Sequence, residues 1–287
     1  IPVYLNSFYR FDPLYSKMKT VFTIHNIQYQ GKYGYELTED VLGLPAENAS
    51  LVDYDNCVNF MKGAIECANK VTTVSQSYAD EILDPWYSHG LDGILNERRY
   101  KLSGILNGID VLGYDPETDK SIRANYSAAN PADKKLNKED LQQVMRLPVR
   151  ADVPIVGMVS RLVAHKGLDL VKGILDELLS TSEMQLVVLG SGDWEYEAFF
   201  KELAAKFPEK VGLRLGFVPD MARKIYAGSD MFLMPSKSEP CGLSQLMSLR
   251  YGTLPIVRET GGLRDTVIPY NAENSTGFSF SNYNAHD

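Results

Sequence analysis

The sequence predicts an α/β protein of two domains, the clearer second one a doubly wound parallel sheet with helices on both faces. Three observations carry this. Strand-like and helix-like segments alternate through the second half. The strands are nearly continuous in Val, Ile and Leu rather than alternating with polar residues, as expected where both faces of a sheet are covered. The chain has 287 residues, enough for two ordinary domains.

The second half gives the clearer elements. PIVGMVS (154–160) reads as a strand. The following GLDLVKGILDELLST carries Leu168, Val171, Leu175, Leu178 and Leu179 at helical spacing. QLVVLGSGD (185–193) is the next strand. Asp193 suits the N-cap of WEYEAFFKELAAKF, whose Phe199, Leu203 and Phe207 form one stripe. VGLRLGFV (211–218), MFLMP (231–235) and LPIVR (254–258) supply three more strands, separated by helices near 219–228 and 243–251.

The first half is patchier. KTVFTIHN (19–26) reads as a buried strand, VNFMKGAIECANK (58–70) as a helix running into strand VTTVS (71–75), and SYADEIL as another helix. KLSGILNGID (101–110) reads as a last strand and a turn. Residues 111–136 are polar and show no period, and Asn137 is placed to cap the helix KEDLQQVMRL. The domain boundary is set at Leu106–Asn107. Residues 1–106 form a partial first domain. Residues 107–287 form the second, with the polar segment draped over it.

Composition narrows the function. The net charge of −8 disfavours nucleic acid and anionic membrane surfaces as partners. No apolar stretch is long enough to span a bilayer. Cys57, Cys67 and Cys241 form neither a disulfide framework nor a C-x-x-C pair, which points to a reducing, cytoplasmic setting. Asp53 and Asp55 of DYD have Asp-x-Asp spacing but lack further ligands, so no metal is expected and no cofactor is called for. The chain opens at Ile1 with no signal-peptide pattern and reads as an internal fragment of a longer protein.

Ligands of doubly wound sheets sit beyond the carboxyl ends of the strands. At those ends stand Arg161 and Lys166-Gly167, then Gly190-Ser191-Gly192-Asp193, then Phe217, then the run Ser236 to Leu243, then Thr260-Gly261-Gly262. Helix starts offer free N–H groups, and Arg and Lys add fixed charge, so a phosphorylated ligand is expected. GSGDWE lacks the third glycine of a dinucleotide fingerprint, and no P-loop is present.

These residues carry a resemblance. TVFTIHNIQYQG, VTTVSQSYADEI, HGLDGIL, ILNGID, GMVSRLVAHKGLDL, VVLGSGD, MPSKSEPCGLSQLMSLRYGTLPIVRETGGLRDTV and GFSFSNYNAHD, in that order, resemble bacterial glycogen synthases and plant starch synthases. The resemblance implies two Rossmann-like domains of GT-B type. It also implies retaining transfer of glucose from ADP-glucose, or less often UDP-glucose, to an α-1,4-glucan. It makes Arg161 and Lys166 the holders of the nucleotide phosphates and Glu239 the carboxylate beside the donor glucose. Cys241, Gly242 and Leu243 would offer backbone N–H groups, with Ser244 at the same turn. Gly190, Gly192 and Asp193 would line the nucleotide site, with Phe217 near the base. His25 and Asn26 would reach across from the first domain, Asn107 would line the cleft at the hinge, and Thr260, Gly261 and Gly262 would belong to the donor pocket. The kink at Pro240 would expose Glu239 at a strand end.

The pattern also departs from the family. Met247 stands where related enzymes carry a second Glu, His165 where Gln is usual, and Tyr114 where Trp is usual. The family's N-terminal Lys-Thr-Gly-Gly-Leu loop has no counterpart in the chain. Two other readings stay open: a different GT-B transferase, such as a sucrose-synthase-like enzyme, or a unit that holds nucleotide or glucan without turnover. Taken singly, His25 reads as a structural histidine and Phe217 as core, while Arg161 and Lys166 read equally well as a solvated pair or as phosphate holders.

Overall fold

The structure, a computed structural model, describes residues 1–287. They form two compact units, Ile1–Asn107 and Gly108–Asp287. No helix is long and apolar enough to cross a membrane.

In the first unit the elements run α1 (Pro2–Ser7), β1 (Val21–Ile24), β2 (Lys32–Tyr33), α2 (Glu36–Asp40), β3 (Asp53–Tyr54) and β4 (Cys57–Asn59). They continue with α3 (Phe60–Cys67), β5 (Lys70–Thr73), α4 (Gln76–Glu81), α5 (Asp92–Glu97) and β6 (Leu102–Gly104). A parallel sheet of order β1-β5-β6 packs Ile24 and Val71 against Ile65 of α3, Tyr78 of α4 and Leu95 of α5. Two caps explain where its helices begin. The Asn59 side chain accepts from Lys62 N at 2.9 Å, and Ser75 Oγ accepts from Tyr78 N at 3.2 Å.

The expected helix over 58–70 is shorter, because Cys57–Asn59 joins an antiparallel ribbon of order β2-β4-β3. The DYD stretch belongs to this ribbon. Asp53 lies in β3, while Asp55 and Asn56, at φ 53° and 57°, make its hairpin turn with the positive-φ pair such turns require. Turn geometry therefore accounts for the spacing of the two aspartates.

The second unit holds α6 (Lys134–Val144), β7 (Ile155–Leu162), α7 (Leu168–Thr181), β8 (Gln185–Gly192), α8 (Trp194–Lys206) and β9 (Val211–Leu215). Then come α9 (Pro219–Gly228), β10 (Met231–Met234), α10 (Ser244–Arg250), β11 (Leu254–Arg258), α11 (Gly261–Thr266) and β12 (Phe278–Phe280). All six strands are parallel, in the order β12-β11-β10-β7-β8-β9.

Both faces are buried, and the strand period shows how. Leu186 and Val188 pack with Leu175 of α7 and Phe200 of α8, while Val187 and Leu189 pack with Leu141 of α6 and Ile225 of α9. At Gly157 a side chain would meet Ile225 Cγ2 at 2.7 Å, so the missing Cβ lets α9 lie directly on β7.

Several sequence expectations are corrected. Asn137 does not cap α6; it lies inside the helix, buried, and its Oδ1 accepts from Arg123 N at 2.9 Å and Ala124 N at 3.1 Å. It pins the polar segment, whose own backbone has no ladder to join. Asp193 does stand at the N-cap of α8, but it accepts through its backbone oxygen from Tyr196 and Glu197 and makes no side-chain cap. The buried stripe of α8 is Tyr196, Phe200 and Leu203, flanked by the half-buried Phe199 and Phe207. Leu178, expected on the buried face of α7, is exposed. The segment after Thr260 begins α11, and neither this short helix nor β12 was anticipated.

The polar stretch 111–136 stays on the second unit through a buried network. Asp119 accepts from the Tyr251 hydroxyl and from Arg223 Nη1 at 3.2 Å, and the Tyr126 hydroxyl donates to Tyr251 O at 2.7 Å. Burial and the bond to Asp119 push the Tyr251 hydroxyl pKa upward, so it remains a donor. Tyr114, the residue standing where Trp is usual, stacks under Arg223, whose Cζ lies 4.3 Å from its ring centre.

Candidate active site

The site is built at the carboxyl edge of the second sheet, where neighbouring strands β7 and β10 end. Arg161 is the penultimate residue of β7 and is exposed, with its Nη2 3.5 Å from His165 Nε2. The chain then makes one 3-10 turn, Ala164–Lys166, and reverses at Gly167 with φ +72°. A side chain at Gly167 would sit 1.9 Å from Pro235 O, so glycine is required both by the backbone angle and by the loop that follows β10.

That second loop carries Glu239. The two loops are zipped together, since Lys237 N donates to His165 O at 3.0 Å. Across the seam Lys166 Nζ donates to Glu239 Oε2 at 2.5 Å, and Ser236 Oγ donates to the same oxygen at 3.1 Å. Glu239 is therefore not exposed as its kink suggested; it is buried, at 7 % of its free surface. A carboxylate tolerates that burial because a cation and a hydroxyl meet it. Both bonds go to Oε2, which leaves Oε1 available.

The Thr260-Gly261-Gly262 stretch lies directly behind Glu239. Gly262 N donates to Glu239 O at 3.1 Å. A Cβ on Gly261, at φ +45°, would fall 2.0 Å from Glu239 O, and one on Gly262 2.1 Å from Cys241 O. These glycines let two loops pass in contact and so set the height of Glu239. Gly242, at φ +71°, turns the chain into α10. Buried Gln245 ties this turn to α11, donating from Nε2 to Cys241 O at 3.0 Å and to Thr266 Oγ1 at 3.1 Å. Cys241 is buried, Leu243 is exposed, and Ser244 Oγ lies 3.3 Å from the Tyr226 hydroxyl. Met247 packs into the apolar cluster around Tyr226 and Tyr251, so no second carboxylate stands there.

A pocket of about 260 Å³ opens at the carboxyl ends of β7 and β8, lined by Ser160, Arg161, Gly190, Ser191, Gly216 and Phe217 among others. Phe217 is not core; it is 91 % exposed at the pocket wall. Gly190 and Gly192 are in ordinary strand conformation. Their missing side chains make room for Ser160 O and Leu162 O, at 2.0 and 2.3 Å from the absent Cβ positions. These glycines serve the close approach of β7 and β8, while exposed Asp193 closes the strand end by donating its N–H to Leu162 O at 2.8 Å.

In the first unit, His25 and Asn26 follow the carboxyl end of β1. His25 is exposed, and Asn26 Oδ1 accepts from Gln28 N at 2.9 Å. Asn107 is the last residue of that unit. Sequence reasoning missed the roles of Ser236 and of the His165 carbonyl. Ser236 stood in the strand-end run Ser236 to Leu243, but its bond to Glu239 was not foreseen; the carbonyl left no signal.

An open parallel sheet whose glycine-lined strand ends carry a paired cation and acid and a pocket is the arrangement of the GT-B glycosyltransferases. The starch synthase catalytic domain model matches residues 1–97, and the glycosyl transferases group 1 model matches residues 142–287. The chain belongs to the glycosyl transferases group 1. It is 50% identical over 291 residues to a glycogen synthase of Desulforamulus reducens, covering 100% of this chain and 60% of that protein. It is 51% identical over 293 residues to a glycogen synthase of Clostridium acetobutylicum, covering 100% and 61%. The catalytic domain of starch synthase IV from Arabidopsis thaliana, solved with ADP and acarbose, superposes with a TM-score of 0.88 at 33% identity, covering 99% of this chain and 60% of that one. The chain thus spans about 60% of the length of the curated relatives it matches.

Proposed function

We propose that the protein this chain belongs to transfers glucose from a nucleotide sugar, ADP-glucose in preference to UDP-glucose, to the non-reducing end of an α-1,4-glucan with retention of configuration. The observation that carries this is the Lys166–Glu239 pair, held between two bonded loops on the same sheet edge as a pocket walled by Arg161 and Phe217. The likeness to glycogen synthases along the whole chain supports the choice of sugar and acceptor.

In this reading Arg161 and Lys166 hold the diphosphate and stabilise the charge that grows on it as the glycosidic C–O bond breaks. The leaving diphosphate takes the acceptor's proton. Glu239 Oε1 meets a hydroxyl of the donor glucose while Oε2 stays anchored. The backbone N–H groups of Cys241, Gly242 and Leu243 bind the sugar and phosphate, with Ser244 at the same turn. Phe217 packs on the base, and Gly190, Gly192 and Asp193 border it. Thr260, Gly261 and Gly262 support the donor pocket. His25, Asn26 and Asn107 are further donor-binding residues in this proposal.

Calorimetric titration of the 287-residue chain with ADP and with UDP tests the donor site. Binding of ADP, weaker binding of UDP, and loss of both in Lys166→Ala are expected. A chain that binds neither nucleotide overturns the reading. A glucose-transfer assay on the same sample, with maltooligosaccharide as acceptor, separates a complete catalyst from a unit that holds nucleotide without turnover.

A further inference from the structure

The segment after β12 puts one aromatic ring where the composition of SNYNAHD gives no reason to expect it. The segment runs along α7, with Ala285 Cβ 3.3 Å from where a Cβ of Gly173 would stand. From it the Tyr283 hydroxyl donates to Asp169 Oδ1, two residues past Gly167. The ring lies near two cations: Arg258 Cζ is 5.4 Å from its centre and Lys237 Nζ 5.7 Å. Arg258 Nη1 in turn donates to Lys237 O at 2.9 Å. One side chain therefore touches both loops of the site: the one that carries Lys166, through Asp169, and the one that carries Glu239, through Lys237.

We propose that Tyr283 is a positioning residue that clamps the Lys166 loop to the Glu239 loop. The proposal rests on the donor-site reading for its consequence but not for its geometry. The backbone seam includes the hydrogen bond from Lys237 N to His165 O and the close pass of Gly167 under Pro235. The Lys166–Glu239 pair ties the same two loops through side chains. Tyr283 adds a third tie from outside both loops, its ring near two cations and its hydroxyl fixed on the first turn of α7. Burial and the Asp169 bond both push the Tyr283 hydroxyl pKa upward, which keeps it a donor at neutral pH.

Amide hydrogen exchange on the full chain tests the clamp in Tyr283→Leu and Tyr283→Phe. The leucine variant should speed exchange in the peptides covering 163–169 and 235–239 about tenfold, with β7 and β8 unchanged. The phenylalanine variant keeps the ring between its cations and loses only the hydroxyl bond, so it should fall between leucine and wild type. ADP affinity should weaken in the same order. Unchanged exchange at the two loops overturns the proposal, and so does acceleration spread evenly over the sheet, which marks a general stabiliser. If the wild-type chain binds no ADP, the donor-site reading falls, while the exchange comparison still decides the clamp.

Discussion

Lys166 and Glu239 neutralise each other across two loops, Nζ to Oε2 at 2.5 Å, with both side chains largely shielded from water. The same lysine is the cation proposed to hold the donor's diphosphate, so the phosphate and Glu239 draw on one charge.

A prediction with opposite signs on binding and turnover follows from that shared charge. In Glu239→Gln the lysine has no anion to leave, and ADP should bind about tenfold more tightly, equivalent to about 1.4 kcal/mol. Glucose transfer by the longer protein should nonetheless fall severely, because the amide removes the acid proposed to meet the donor sugar. Calorimetry and a transfer assay read the two arms. Weaker ADP binding in the variant would refute the competition. Removing the other partner differs: Lys166→Met strands a buried carboxylate and should cost about 3 kcal/mol of stability in urea denaturation.

Gly261 offers a steric test of the loop behind Glu239. An alanine there must adopt φ +45° and place its methyl group 2.0 Å from Glu239 O. Left-handed backbone and overpacking together should destabilise the chain by at least about 2 kcal/mol. The displaced Glu239 should also loosen its bond to Lys166. Urea denaturation measures the first effect and ADP calorimetry the second. A fully stable Gly261→Ala chain with unaltered ADP binding would show that the close pass is unimportant.

Lys134 predicts a pH dependence. Its Nζ donates to Ala227 O at 2.7 Å and Thr253 Oγ1 at 2.9 Å and lies 5.7 Å from the Tyr126 ring centre. Burial lowers its pKa from the ordinary 10.5 to about 7, against an upward pull from Asp230 and with a small further push down from Lys138. Between those two values the unfolded chain binds the proton more readily than the folded one. The stability tied to Lys134 is therefore complete above about 10.5 and is lost as the pH falls to about 7, with a limiting slope of about 1.4 kcal/mol per pH unit. The urea midpoint of the wild type should rise from pH 7.5 to pH 9 more steeply than that of Lys134→Met, a comparison that cancels the other titrating groups. Equal slopes in the two proteins would remove Lys134 as the cause.

The five strands β7 to β11 and most of their helices were legible in the sequence, because strands covered on both faces read as unbroken apolar runs between helical periods. The alignment of Arg161, Lys166 and Glu239 on one edge was legible too, since parallel strands must all end on the same side. Elements held by pairing rather than by their own pattern were not: the ribbon of β2, β3 and β4, and β12, whose short run lies beside β11.

Sequence alone determined the order of the strands along the chain, the residue types at their carboxyl ends and the family those residues resemble, because periodicity and motif spacing are properties of neighbours in the chain. Only the tertiary structure decided that Glu239 is buried and paired, that Asn137 pins a loop instead of capping a helix, and that Tyr283 reaches Asp169 from 114 residues away. Those facts depend on which side chains share a dielectric and a hydrogen-bond partner. Residues far apart in the chain settle that only when the sheet brings them together.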